Sequence, residues 1–179
     1  LIFHFHLNFH LLIYFYDLNF KTNVRLDDRN RIFFSGYLGR DNFGFKDEFG
    51  FDWGSITGTL RWNHIFGDKL FANTSIVFSN YSYQIDIMTI LDMDIRSEIH
   101  DLNMKQDFSY YLNTRHTIKF GGNIIYHSIL PGRITVHDEN SIFESQQISN
   151  RRAIEWAAYI SDSYNVAENL KLYGGMRLA

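Results

Sequence analysis

The stretch GSITGTLRWNHIFGDKLFANTSIVFSN, residues 54–80, decides the fold class of this chain. Before Gly67-Asp68-Lys69, the apolar residues Ile56, Leu60, Trp62 and Phe66 alternate with Ser55, Thr57, Thr59, Arg61 and Asn63. After it, Leu70, Ala72, Ile76 and Phe78 stand against Asn73, Ser75 and Ser79. A period of two puts successive side chains on opposite faces of a sheet, whereas a helix would scatter these apolar residues around its axis. Gly and Asp between two such runs supply a tight turn. The stretch therefore reads as strand, turn, strand.

The same pattern recurs in eight segments, expected at residues 15–26, 31–40, 54–66, 70–83, 99–112, 116–127, 153–166 and 170–178. Short turns are expected at Asp27-Asp28-Arg29-Asn30, Gly67-Asp68-Lys69, Asn113-Thr114-Arg115 and Ala167-Glu168-Asn169. They alternate with three long loops, expected at about residues 41–53, 86–98 and 128–150. Gly44, Gly50 and Gly54 read as turn chemistry inside the first of these. Residues 1–14 form an N-terminal segment that is either an extra strand or a poorly ordered end, and residues 15–179 form one partial barrel domain.

Strand length narrows the class. Globular strands run to about 5–6 residues, and most of these run past nine. A strand tilted across a bilayer needs about 9–11 residues of alternating character. One face is apolar, and the other carries Lys21, Arg25, Arg61, Asp101, Lys105, Asp107 and Lys119, which suits a wet lumen. Phe34, Phe66, Tyr110 and Tyr164 lie near the short turns, where a barrel places its aromatic girdle. The expected fold is all-β: an antiparallel transmembrane β-barrel segment of about eight long strands, with short periplasmic turns and long extracellular loops, in the bacterial outer membrane.

Composition agrees. Aromatics make up 17%, and Pro131 is the single proline, as strands prefer. No apolar run reaches the roughly 18–20 residues of a membrane helix. A formal net charge of −3 without a basic stripe argues against nucleic-acid binding. The absence of Cys removes disulfides and thiolate metal sites. The segment at residues 1–14 lacks the basic lead and small-residue cleavage site of a signal peptide. A start at Leu1 and a stop at Ala179 in mid-pattern read as a piece of a longer protein.

Catalytic chemistry is not expected. His4, His6 and His10 share a strand face in the manner of imidazole ligands, but a polar strand face explains them as well, and no metal or cofactor is assigned. Carboxylates cluster at Asp47-Glu48, Asp92 with Asp94, and Asp138-Glu139, where solvation accounts for them. No phosphate loop, nucleophile elbow or zinc spacing occurs. The three expected loops carry net charges of −3, −3 and −2, leaving +5 for the remainder. Acidic outer loops would steer a cationic or metal-bearing solute, or bind the divalent ions that bridge lipid phosphates. The candidate ligand-binding residues are Arg40, Asp41, Asp47, Glu48, Asp52, Asp92, Asp94, Asp138 and Glu139.

The stretch Trp156-Ala157-Ala158-Tyr159-Ile160-Ser161-Asp162, followed by Asn169-Leu170-Lys171-Leu172-Tyr173-Gly174-Gly175-Met176-Arg177-Leu178, resembles a strand pair in the barrel of TonB-dependent outer-membrane receptors. Ser35-Gly36-Tyr37-Leu38-Gly39-Arg40-Asp41 and the run from Gly54 to His64 are similar to the same barrels. The resemblance implies a 22-stranded barrel around an N-terminal plug, importing a metal chelate, a cobalamin-like molecule or an oligomeric solute. It implies outer-membrane lipids and lipopolysaccharide as surroundings, and TonB as a partner only through a plug region that these residues do not match. The alternatives are a complete eight-stranded outer-membrane barrel acting as adhesin, anchor or lipid-modifying enzyme, and a soluble lipocalin-like binder.

Overall fold

The computed structural model describes residues 3–6 by their backbone, and residues 11–88, 92–138 and 141–179 in full. Among the described residues ten strands follow one another: β1 (Phe3–His6), β2 (Leu11–Arg25), β3 (Asn30–Phe45), β4 (Phe49–Ile65), β5 (Leu70–Ile87), β6 (Met93–Tyr111), β7 (His116–Val136), β8 (Gln146–Gln147), β9 (Arg151–Ala167) and β10 (Leu170–Leu178). They form one antiparallel sheet in the order β1-β2-β3-β4-β5-β6-β7-β9-β10, with β8 beside β7. Every neighbour along this path is also the neighbour in sequence, apart from the short β8, so the sheet is a meander. It is open, and β1 and β10 do not pair with each other. No described residue is helical.

The eight expected strands are present, and β2 to β7 extend further than expected. Of residues 41–53, all but 46–48 belong to β3 or β4, so the expected long loop is the tip of a hairpin. Alternation continues through it, since Phe43, Phe45, Phe49, Phe51 and Trp53 stand between Asn42, Gly44, Gly50 and Asp52. Asp47, at φ 60°, turns the chain. Gly44 and Gly50 are strand residues that face each other. A Cβ on Gly44 would stand 2.7 Å from the Phe49 carbonyl oxygen, so this close pairing excludes a side chain there. Strand likewise replaces loop at 93–98 and 128–136. Residues 11–14, placed in the N-terminal segment, open β2.

The short turns are built by side chains, as their residue types predict. Asp27 Oδ1 accepts from the Arg29 amide at 2.7 Å, and its carboxylate also holds the Asn30 amide group at 2.8 Å. These bonds hold the Asp27 carboxyl below the usual carboxylate range. Asn113 Oδ1 accepts from the Arg115 and His116 amides at 2.8 and 2.9 Å. Both are the local side-chain-to-backbone bonds that favour Asp and Asn in turns.

One layer of sheet leaves little to bury. Among the described residues no large side chain is fully buried, and the buried apolar residues are Ala72, Leu130 and Ala157. A soluble domain of this length would bury about two-thirds of its chain surface. Here the apolar side chains lie open along one face.

Candidate functional site

Register converts the alternation into two continuous surfaces, because residues paired across strands share a face. Even-numbered residues of β2–β6, β9 and β10, and of the lower part of β7, share one face. On it Phe34, Leu60, Ile76, Met104, Ile124 and Trp156 stand side by side across six strands. All six are exposed. Rows above and below add Phe20, Phe78, Leu102, Tyr126 and Ile154, then Phe108, Phe120, Ile160 and Met176. On β6 and β7 this apolar band occupies positions 102–110 and 118–126, nine residues on each strand. That is the span needed to cross a hydrocarbon core of about 30 Å on a tilted strand.

The band stops abruptly toward the end of the sheet away from the short turns. Beyond Leu38, Ile56, Phe78 and Leu102, the same face carries Arg40, Asp52, Asn80, Ser82, Glu98 and His100. Arg40 Nε donates to Asp52 Oδ2 at 2.9 Å, and a second guanidinium nitrogen lies 2.5 Å from Oδ1. The bond to Asp52 raises the affinity of Arg40 for its proton, and Asp52 is buried at 8% exposure. Glu98 is clasped by Arg96 and by His100, whose Nε2 lies 3.1 Å away. Asn80 stands 2.7 Å from the other His100 ring nitrogen. His137 lies 2.9 Å from Asp94, and Gln84 donates to Asp86 at 2.7 Å.

Burial pushes the Glu98 carboxyl up, but its bonds to His100 and Arg96 outweigh that and leave it below the ordinary value. A depressed carboxylate stabilises the fold at pH values above its unfolded pKa of about 4.3, and this contribution is lost as pH falls through the lower folded value. We therefore expect the melting temperature of the membrane-reconstituted protein to fall between about pH 4.3 and the folded pKa. Glu98→Gln should start from a lower melting temperature at pH 7 and lose part of that dependence. Equal slopes in melts from pH 3 to 7 would remove Glu98 as a contributor.

The opposite face, made of the odd-numbered residues and, beyond the register shift on β7, of its even-numbered ones, has three tiers. Near the short turns it is basic, with Arg25 beside Arg31, and Arg61, Lys105, Lys119 and Arg177 close by. Lys105 pairs with Asp107 at 3.0 Å. Lys21, Arg31, Lys119 and Arg177 have no ion-pair partner among the described residues. Tyr159 reaches across the intervening β7 at Gly121 and donates to Asp107 Oδ1 at 2.6 Å. The middle tier is polar, including Tyr37, Thr57, Ser79 and Asp101, with His127 Nδ1 2.7 Å from Asp101.

The third tier, farthest from the short turns, is apolar. Ile13, Phe43, Phe51, Ile85, Ile95 and Ile134 form one row across six strands. Leu11, Phe45, Phe49, Ile87, Met93 and Val136 form the next. Trp53 packs against Phe51 with ring centroids 4.6 Å apart, and Tyr83 meets Phe51 edge-on at 6.4 Å. The two faces thus exchange character along each strand: the banded face turns polar as the opposite face turns apolar.

The candidate ligand residues are distributed over this end without forming one cluster. Arg40, Asp52 and Asp94 lie on the banded face, Arg40 and Asp52 as an ion pair and Asp94 beside the His137 ring. Asp41 lies on the opposite face, between Phe15 and Trp53 in the register. Asp47 and Glu48 are in the β3–β4 turn, where the Glu48 carbonyl accepts from the Met88 amide at 3.0 Å. Asp92, at φ 35°, leads into β6, and the Asp138 carbonyl accepts from the Ser141 amide. Glu139, His10 and the side chains of His4 and His6 lie outside the described residues. Among the described residues no group of three or more His, Asp or Glu could hold a metal ion.

Sequence reading missed the apolar tier because most of its residues fell in the expected loops, and Leu11 and Ile13 in the N-terminal segment. The signal was present: on β3, apolar positions move from 32, 34 and 38 to 43 and 45, an even-to-odd shift of phase. β4, β5 and β6 show the same shift.

No protein-family model matches the chain, and no curated protein matches it. Solved structures do. The copper transporter OprC superposes on 93% of the chain with a TM-score of 0.73 at 11% identity. The ferric yersiniabactin uptake receptor FyuA from Yersinia pestis superposes on 92% with a TM-score of 0.67 at 12% identity. The chain spans 28% of the length of each. The translocator domain of the autotransporter NalP from Neisseria meningitidis overlaps with a TM-score of 0.48 at 10% identity, covering 92% of the chain and 59% of its own. At these identities the likeness is one of fold: the chain has the antiparallel architecture of outer-membrane β-barrels.

Proposed function

We propose that this chain is part of the barrel wall of a TonB-dependent receptor, which imports a solute across the bacterial outer membrane. The observation that carries the reading is the two-faced wall. An exposed apolar band of bilayer height covers one side, and behind it the other side is basic and polar, with Lys21, Arg31, Lys119 and Arg177 free of ion-pair partners among the described residues. Lipid satisfies the first and a hydrated lumen the second. The open sheet of long strands supports a place within a larger barrel, as does its overlap with about a quarter of a copper transporter and of a ferric yersiniabactin uptake receptor. On this reading the polar extension of the banded face rises above the hydrocarbon to the lipopolysaccharide head groups. The chemistry is transport, with no catalytic residue assigned.

Two measurements test this. The chain should aggregate in buffer and refold only in detergent or lipid; a monodisperse, water-soluble monomer would overturn any membrane reading. Cells lacking the intact gene should lose uptake of one solute in a panel of iron chelates, copper and cobalamin. Removing TonB should reproduce that loss. A heat-modifiable outer-membrane protein whose deletion and TonB removal leave all uptake unchanged would instead point to an adhesin, anchor or lipid-modifying barrel.

A further inference from the structure

The apolar band has a polar interruption at its centre. On β5, β6, β7 and β9 the banded face is apolar or glycine between the Phe78–Leu102 row and the Phe108–Phe120 row, except at Thr74 and Gln106. The register sets these two side by side, and the Thr74 hydroxyl donates to Gln106 Oε1 at 2.6 Å. Gln106 is the midpoint of the band positions 102–110 on β6, so it lies at the depth farthest from the head groups. Hydrocarbon offers no hydrogen bonds, and a polar side chain held there marks an interaction.

The amide of Gln106 is only partly satisfied. It has two N–H donors, and its oxygen has two lone pairs. Thr74 fills one lone pair. The nitrogen reaches the Asp107 carbonyl at 3.4 Å, longer than the roughly 2.7–3.2 Å of an ordinary bond. One N–H and one lone pair are left without a partner among the described residues, a donor beside an acceptor.

That leftover pair selects its occupant. Acyl chains cannot answer it, and the head groups begin about 15 Å away, half the thickness of the hydrocarbon core. A second amide can, because each N–H then meets the other's oxygen. Another copy of the protein inserts with the same orientation and at the same depth. A two-fold axis along the membrane normal therefore brings Gln106 onto Gln106. Gly122 and Ala158, next in the row, project little, so two surfaces can close on the amides. The area suffices as well. At about 4.8 Å per strand and 3.3 Å per residue, four strands over nine residues measure roughly 570 Å². Two such patches bury about 1,100 Å², just above the roughly 1,000 Å² of a specific interface, which suits a reversible dimer.

We propose that this patch docks a second copy of the protein, with the two Gln106 amides hydrogen-bonded across that axis. The inference rests on the membrane reading of the band and is independent of import, since the lumen lies behind the opposite face.

The test uses the intact protein, carrying one fluorophore per copy, in phosphatidylcholine vesicles over a range of protein-to-lipid ratios. Single-molecule photobleaching counts the copies that move together. Wild-type protein should pass from one copy to two as the ratio rises, and stop there. Gln106→Leu suits lipid and should need at least fivefold more protein for half-dimerisation. Ala158→Phe should have a similar effect by holding the surfaces apart, while Met104→Leu, in the neighbouring row, leaves the curve unchanged. Heat-shifted gel mobility confirms that each variant has folded. Single copies at every ratio would mean that lipid alone covers the patch, and would overturn the proposal. So would a wild-type curve for folded Gln106→Leu, or clusters that grow past two. Failure to insert into vesicles sinks the membrane reading and the dimer together, whereas inserted single copies in a protein that still imports its solute sink the dimer alone.

Discussion

Ile76→Arg is expected to lower folding stability by about 2–4 kcal/mol, the cost of placing a guanidinium at the bilayer midplane on the lipid face of a barrel. Ile76 stands in the central row of the band, between Leu60 and Met104, and is exposed. In water an exposed isoleucine would tolerate the change within about 0.5 kcal/mol, so the size of the effect reports the solvent on that face. Ser75→Arg, one residue away, points to the polar side beside Arg61 and Lys105. It should cost far less. Urea-dependent folding into lipid vesicles measures both. Similar losses for the two variants would mean that the faces do not meet different solvents.

The second large effect is expected at Gly121. A Cβ there would stand 2.2 Å from the Gln106 carbonyl oxygen and 3.0 Å from the Asp107 Cα, both backbone atoms that cannot swing aside. Gly121 also lies in the register between Asp107 and Tyr159, beneath the hydrogen bond that joins β6 to β9. Gly121→Val should therefore cost about 1–3 kcal/mol for overpacking, and about 1 kcal/mol more for the hydrogen bond it displaces. Tyr159→Phe isolates the second contribution and should lose about 1 kcal/mol. If Gly121→Val folds with wild-type stability, the close approach of β6 and β7 at this point is wrong.

Much of this molecule was legible in its residues. Alternation in 54–66 and 70–83 identified the strands, and Asp27 and Asn113 marked turns whose side-chain bonds the structure displays. The boundaries at residues 41–53 were misread because Gly44, Gly50 and Gly54 are strong local turn signals. In a strand pair, glycine also permits close backbone approach, and only the partner strand reveals which role applies. The candidate ligand residues were chosen by charge, which says nothing about direction. Asp41 and Asp52 look equivalent in sequence, yet they stand on opposite faces, and Asp52 is neutralised by Arg40.

By itself the sequence determined the properties that depend on near neighbours: a period of two, strands too long for an ordinary sheet, the tight turns, and which alternate residues are apolar. Tertiary structure decided whatever requires two strands at once. Register assembled isolated apolar residues into a lipid-height band, and joined Phe43 to Phe51 and Ile85 in a tier of opposite facing. It also brought Tyr159 to Asp107 across 52 residues of chain. Backbone pleat is a local consequence of residue geometry, whereas a surface is made by side chains from separate strands, and only pairing brings them together.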